Sequence, residues 1–410
     1  MTQVTRVPAI ISPSLGRQGI DVHNGITHLF IPGPTTIPDV VRRAMNVPMQ
    51  DHRAPDFPDL TLPLFAGLKE LLANHSGRVF LYPASGTGAW EAAISNTLNP
   101  GDRVLMSRFG QFSHLWVEMA QRLGLDLVCV DVEWGAGVPL DHYLRHLTED
   151  RTIKAVFATH NETSTGVTSD IAGVRAVLDA ADSDALLFVD GVSSIASIDF
   201  QQEAWGVDLA VTGSQKGLML PPGLAVLGVS DKALHAAKSA TMARSYFSFD
   251  DMSAMNDKGY FPYTPPIPLL HGLRASLDLL FSEGLPQVFA RHHRLAEGIR
   301  RGVDALNLRL CAVSPAWYSD TVTAITVPEG VDSADVVRIA YQRYRTSFGG
   351  GLNKLAGTVF RIGHLGDLNE VSCLAALAAA EMSLADAGAK VELGAGVAAA
   401  QTYYRQESAR

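Results

Sequence analysis

Leu186-Leu187-Phe188-Val189-Asp190 and, after the run Asp208 to Thr212, Gly213-Ser214-Gln215-Lys216-Gly217 decide how this chain folds. Both runs are apolar along their length instead of alternating. A strand with one wet face alternates, whereas a strand covered on both faces does not, so these segments predict a largely parallel sheet between helices. Arg103 to Ser107, Asp126 to Val132, Lys154 to Thr159 and Leu224 to Val229 have the same character, and most of the segments between them carry helical spacing. In such a sheet, ligands gather beyond the carboxyl ends of the strands. Asp190, Thr163 and Lys216 all fall at such ends.

A second motif, Ser85-Gly86-Thr87-Gly88, follows the apolar run Val79-Phe80-Leu81-Tyr82 and precedes Trp90, Ala93, Ile94 and Leu98, spaced as one face of a helix. Free amides and the positive end of the helix dipole converge at such a turn, with the Ser85 and Thr87 hydroxyls beside them, which suits a phosphate. By itself the motif is also an ordinary strand-to-helix turn with a serine N-cap. Lys216 by itself is also a solvated loop lysine, and Asp190 a cap for the next turn. Phosphate cup, carboxylate and amine in this chain order point to pyridoxal 5'-phosphate: an amine joins the cofactor aldehyde, and a carboxylate keeps the pyridine nitrogen protonated.

The 410 residues, 47% of them apolar and 18% charged, suffice for one large domain and a smaller one. The formal charge of -9, with no block of basic residues, argues against a nucleic-acid or anionic-membrane surface. Three cysteines without a CxxC pair indicate neither a disulfide framework nor a metal site, and a reducing cytoplasm is expected. Residues 1–25 show no apolar core followed by a cleavage site, and no run reaches the length of a membrane span. Ser408-Ala409-Arg410 ends in a charge and does not read as a peroxisomal address.

Gly284-Leu285-Pro286 marks a junction. The reading is an arm (1–28), a large domain (29–285), a small α+β domain (286–398) and a tail (399–410). In the small domain, helices are expected over 288–305, 333–343 and 369–387, and strands over 321–327 and 359–362.

Ile31-Pro32-Gly33-Pro34-Thr35, Asp51-His52-Arg53, Arg108-Phe109-Gly110-Gln111, His160-Asn161-Glu162-Thr163, Asp190-Gly191-Val192-Ser193-Ser194, Tyr263-Thr264-Pro265-Pro266 and Phe360-Arg361-Ile362-Gly363-His364 stand in order around the motifs above. Together, from about Leu29 to Leu393, they resemble the class V, fold type I aminotransferases, and within them the serine–glyoxylate branch. The resemblance implies pyridoxal phosphate held by Ser85, Gly86, Thr87 and Gln215 at the phosphate, Phe109 on the ring face, Thr163 near the ring hydroxyl and Asp190 at the pyridine nitrogen. It implies Lys216 as both the covalent attachment point and the proton carrier, and Arg361 as the anchor of the substrate carboxylate.

It further implies a homodimer in which Thr264, with Tyr260 or Tyr263, reaches the neighbouring subunit's phosphate, and in which His52 and Arg53 approach the partner's pocket. Without the resemblance, Phe109 reads equally as core, the 260–266 stretch as a packed turn, Arg53 as a solvated charge and Arg361 as an ordinary strand ion pair. The implied reaction takes an amino group from L-serine to glyoxylate. Alanine, aspartate or another amino acid as donor, a same-fold lyase or desulfurase, and a binding protein without chemistry are the alternatives. Thr346-Ser347-Phe348-Gly349-Gly350-Gly351 departs most from the serine branch and lies near the expected substrate entrance. A desulfurase needs a reactive cysteine there, and this segment has none.

Overall fold

The computed structural model describes residues 25–407, so all but the last four residues of the arm expected over 1–28, and the last three residues of the chain, lie outside what is described. The first strand is β1 (His28–Phe30). The main sheet takes β2 (Arg78–Tyr82), β3 (Arg103–Arg108), β4 (Asp126–Asp131), β5 (Ile153–Thr159) and, after a short ribbon of β6 (Asn161–Glu162) and β7 (Val167–Thr168), β8 (Leu186–Asp190), β9 (Leu209–Gly213) and β10 (Ala225–Val229). Its spatial order is β2-β10-β9-β8-β5-β3-β4. β9, β8, β5, β3 and β4 are parallel neighbours, and β10 alone runs against both strands that flank it.

The expectation of a covered, mostly parallel sheet therefore holds. β8, β9 and β10 are buried at every residue, which requires helices over both faces. Phe80, Phe157, Phe188, Leu187 and Val211 belong to one continuous apolar core. β2, β5, β8 and β9 point the same way, so the segments after them converge on one edge. Ser85, Thr163, Asp190 and Lys216 follow or end these strands.

The second sheet holds β11 (Arg309–Leu310), β12 (Val322–Thr326), β13 (Thr346–Gly350) and β14 (Val359–Gly363), in the order β1-β13-β14-β12-β11. The helices Leu285–Ala305, Ser333–Tyr344, Glu370–Asp386 and Ala395–Glu407 complete this part. Gly284, at φ 88°, separates the long helix Ile267–Glu283 from Leu285–Ala305, at the junction that the sequence pattern marks.

Two features differ from expectation. Residues 29 and 30, expected in the large domain, pair in parallel with β13, and Phe30 enters the small core beside Phe348 and Phe360. Residues 399–407, expected as tail, continue a docked helix. Buried Glu381 accepts from the amides of Gly394 (2.6 Å) and Val397 (2.9 Å) at its start, and Gly298 leaves room for the Tyr404 ring on the facing helix. The Tyr404 hydroxyl donates to Leu295 O at 2.8 Å. An Ala-rich segment has little amphipathic pattern of its own, and the groups that dock it lie on other helices.

Candidate active site

At the phosphate cup, Ser85 stands at the N-cap of the helix Gly86–Thr97, yet its hydroxyl accepts no helix amide. The ordinary capping role is thus not taken up. The Gly88 amide donates to Ser85 O at 2.8 Å, which leaves the Gly86 and Thr87 amides at the helix start without a backbone acceptor among the described residues, and Ser85 and Thr87 are exposed beside them. Gly86 is buried against Val192, and Gln215 closes the cup from the lysine loop, its Oε1 buried and accepting no hydrogen bond. An anion fits among these amides and hydroxyls, and Gln215 adds a donor when its carboxamide presents Nε2 in place of Oε1.

Asp190 ends β8 at 4% exposure. Its Oδ1 accepts the Val192 amide at 2.9 Å, and no cation among the described residues forms an ion pair with it. Burial pushes its carboxyl up to about 7, and the negative charge of Glu162 adds to this, while Lys216 opposes it. A cationic ring nitrogen would supply the missing partner.

Lys216 follows β9 and is 8% exposed. Its amine donates to the Pro32 carbonyl and has no carboxylate in an ion pair among the described residues. The stem lies against Gly33, where φ is 99° and an added methyl group would fall 2.6 Å from Lys216 Cε, so this position takes glycine on both counts. Thr35 secures the same loop, donating its amide to Gln215 O (3.1 Å) and its hydroxyl to Lys216 O (3.2 Å). Burial, seconded by the charge of Arg361, pulls the amine down to about 8. A neutral amine is the nucleophile and the base. The rate at which apoprotein captures pyridoxal phosphate should therefore climb between about pH 6.5 and 9 with its midpoint near 8, measured by stopped-flow absorbance; a flat profile over that range would contradict the buried amine.

Arg361, on β14, is 7% exposed, and its charge is felt at the Lys216 amine. Its Nε and Nη2 donate to Gly350 O (3.0 and 2.8 Å) and its Nη1 to Thr163 O (3.2 Å). It has no ion-pair partner among the described residues, so the ordinary strand ion pair is not what holds it. Burial pulls it down to about 10, with Glu162 opposing, and it stays protonated at neutral pH. Main-chain carbonyls from two separate segments orient a charged fork that a small carboxylate can share.

Thr163 is buried, and its hydroxyl donates to Ser193 Oγ at 2.7 Å; Ser193 in turn donates to Asn161 O at 2.8 Å. That leaves the Thr163 oxygen free to accept from a ring hydroxyl. Phe109 is wholly buried, its amide donating to Ser113 Oγ at 3.1 Å, so the core reading describes its packing here. Nothing in the sequence assigns a role to Ser193 or to the Gly350 carbonyl. For Pro32 and Gly33 the Pro-Gly-Pro run is the one available signal, since a glycine between two prolines marks a backbone bent to fit a neighbour.

The 260–264 stretch stands apart from these groups. The Tyr260 hydroxyl donates to Ala54 O at 3.2 Å and its ring packs by Phe57, whereas Tyr263 and Thr264 are exposed. Tyr263 stacks on Tyr246 at 5.1 Å, and Tyr246 donates to Pro83 O beside the phosphate cup. Arg53 is not a free charge: its fork donates to Phe261 O (2.7 Å) and Pro262 O (3.2 Å) and pins this turn. Cys311 and Cys373 are buried and pushed up to about 11 and about 12 by loss of water, so neither is a ready thiolate.

An amine, a carboxylate and a guanidinium, each without an ion-pair partner among the described residues, together with the amides of Gly86 and Thr87 and the hydroxyls beside them, match the charged and reactive groups of pyridoxal phosphate and an amino acid. Residues 67–344 match the aminotransferase class-V family. The chain is 60% identical over 387 residues to a serine–glyoxylate aminotransferase of Hyphomicrobium methylovorum, covering 93% of this chain and 96% of the relative. It is 54% identical over 383 residues to an L-aspartate–glyoxylate aminotransferase of Paracoccus denitrificans, covering 93% and 97%. Among solved structures, a pyridoxamine–pyruvate aminotransferase of Mesorhizobium loti superposes with a TM-score of 0.88 at 28% identity, covering 93% of this chain and 98% of that one.

Proposed function

This chain belongs to the class-V aminotransferases, and from that premise we infer that it passes the amino group of L-serine to glyoxylate, giving hydroxypyruvate and glycine, with pyridoxal phosphate as cofactor. The observation that carries the reading is the Lys216 amine, buried and without an ion-pair partner among the described residues, on the loop after β9 next to the end of β8 at Asp190. When bound, the cofactor ring takes up the electron pair left as the substrate Cα–H bond breaks. All else falls to the chain.

Ser85, Gly86, Thr87 and Gln215 hold the phosphate by hydroxyls, amides and a carboxamide. Asp190 keeps the ring nitrogen protonated, since a carboxylate and a cation buried together each favour charge on the other. Thr163 receives the ring hydroxyl and Phe109 backs the ring. Arg361 fixes the substrate carboxylate, which sets Cα near Lys216. With the cofactor bound, the Lys216 amine would take the proton from Cα and deliver it to the cofactor's C4' carbon, one base serving both transfers. The Pro32–Thr35 loop keeps that amine out of bulk water.

A homodimer completes this arrangement in our reading, with the exposed Thr264 reaching the second copy's phosphate and Tyr260 or Tyr263 beside it. Because the Tyr260 hydroxyl is engaged with Ala54, Tyr263 suits that role better. No described helix is long and apolar enough to cross a membrane, and the three cysteines are free, which supports a cytoplasmic protein.

The Paracoccus relative, which acts on aspartate, supplies the second reading, in which aspartate replaces serine as donor. Keto acid formed from a panel of donors and acceptors decides between them. Serine with glyoxylate should give the highest kcat/KM; a higher value with aspartate would move the donor, and no glycine from any donor would end the reading. Arg361→Lys should raise KM for serine and for glyoxylate alike, by about 10- to 100-fold, the worth of hydrogen bonds to a charged fork. A rise for one substrate alone would show that they do not share the anchor.

A further inference from the structure

Glu162 is fully buried, yet no cation among the described residues pairs with it. Its carboxylate instead gathers donors. Oε2 accepts the Ser113 amide (2.8 Å), and Oε1 accepts the Ser164 amide (3.1 Å), the Ser164 hydroxyl (2.7 Å) and, more weakly, the Phe112 amide (3.3 Å). The helix Gln111–Arg122 begins at Gly110 and has no side-chain cap of its own, so the carboxylate from β6 stands where an N-cap oxygen would. Gly110 has no Cβ to keep that carboxylate away. Ser164 ties the two segments further, its Oγ accepting the Gln111 amide at 2.9 Å.

Of the two segments so joined, one carries Phe109 and the other carries the Thr163 carbonyl on which Arg361 of β14 rests. Phe109 immediately precedes Gly110. Thr163, between Glu162 and Ser164, offers its carbonyl to Arg361 and its hydroxyl to Ser193. The Glu162 carbonyl also accepts the Thr165 (3.3 Å) and Gly166 (3.0 Å) amides, closing the turn that presents Thr163. We propose that Glu162 is a positioning residue: it fixes the Thr163 carbonyl that aims Arg361 and the Phe109–Ser113 turn that backs the cofactor ring, without touching either ligand. The proposal rests on the cofactor and anchor roles inferred above and concerns how those groups are held.

Glu162→Gln keeps the shape but turns an acceptor-only carboxylate into a group with two N–H donors facing other donors. KM for both serine and glyoxylate should rise about tenfold with kcat changed less than about threefold, since misplacement by a fraction of an ångström is costly at an anchor. Visible circular dichroism per bound pyridoxal phosphate, which reports the setting of the ring, should change as well. In an Arg361→Lys background the same substitution should add less than about twofold to KM, because one residue acts through the other. Ser164→Ala, which removes one of the carboxylate's four donors and leaves the three amides in place, should move KM the same way by about threefold.

Penalties that multiply in the double variant, or a variant that melts earlier with KM and dichroism unchanged, would overturn the proposal. If Glu162→Gln does not fold, Ser164→Ala carries the test alone, and wild-type KM and dichroism there would overturn it. A wild-type protein that neither binds pyridoxal phosphate nor transaminates would instead defeat the functional reading.

Discussion

Lys216→Ala loses transamination by about 10³-fold or more while still holding pyridoxal phosphate through the cup at Ser85 to Thr87. Two contributions vanish together. General-base transfer of a proton alone is worth about 10²- to 10⁴-fold, and the covalent attachment that primes the site goes with it. Folding tolerates the change, since the amine makes a hydrogen bond to Pro32 and no ion pair. Single-turnover conversion of bound pyridoxal phosphate by serine, followed by absorbance, measures the loss. Activity within about tenfold of wild type would mean that some other group carries the proton.

The second large effect belongs to Asp190→Asn, and it has opposite signs in two states of the protein. With cofactor bound, loss of the charge facing the ring nitrogen should lower kcat by about 10²- to 10³-fold, the scale of a preorganised electrostatic contact. In the apoprotein the sign reverses. The folded carboxyl is raised from 3.8 to about 7, so the native state binds a proton that the unfolded chain has released, and stability falls as pH rises from about 4 to 7. Above about pH 7 the full penalty is present, and asparagine removes it while its oxygen still accepts the Val192 amide. Apo Asp190→Asn should therefore melt higher than the apo wild type at about pH 8, with the gap closing toward about pH 4. A lower melting temperature for the variant under those alkaline conditions would show that the carboxylate is stabilised by something other than the cofactor.

Much of the fold and of the site is legible in the sequence. Leu186 to Asp190 and Asp208 to Thr212 lack alternation because both faces are covered, and that one physical fact places Asp190 and Lys216 at strand ends where ligands bind. The strand, turn and helix start around Ser85 to Gly88 are legible because they depend on local backbone and helical spacing. Arg361 is legible only through its flanking motif, since its partners, Gly350 O and Thr163 O, come from distant segments.

Pairing partners set by tertiary contact leave no trace in local pattern. β10 runs antiparallel between two strands of the same apolar character, and nothing in Ala225 to Val229 marks its direction. His28–Phe30 is three residues long, and its partner β13 ends in glycines that read as loop. Glu162 looks like one more polar residue in a motif, because its four donors lie on two turns that meet only in the fold. Phe109 and Tyr260 show the converse: the motif draws attention to them, while their observed contacts are those of packing and of a hydrogen bond to Ala54.

The most direct test is reduction of the resting, cofactor-loaded protein with borohydride followed by peptide mapping. The reduced pyridoxyl adduct should be found on the Nζ of Lys216, in the peptide containing Gly213-Ser214-Gln215-Lys216-Gly217, with close to full occupancy in every chain. An adduct on another lysine, or on none, would contradict the account.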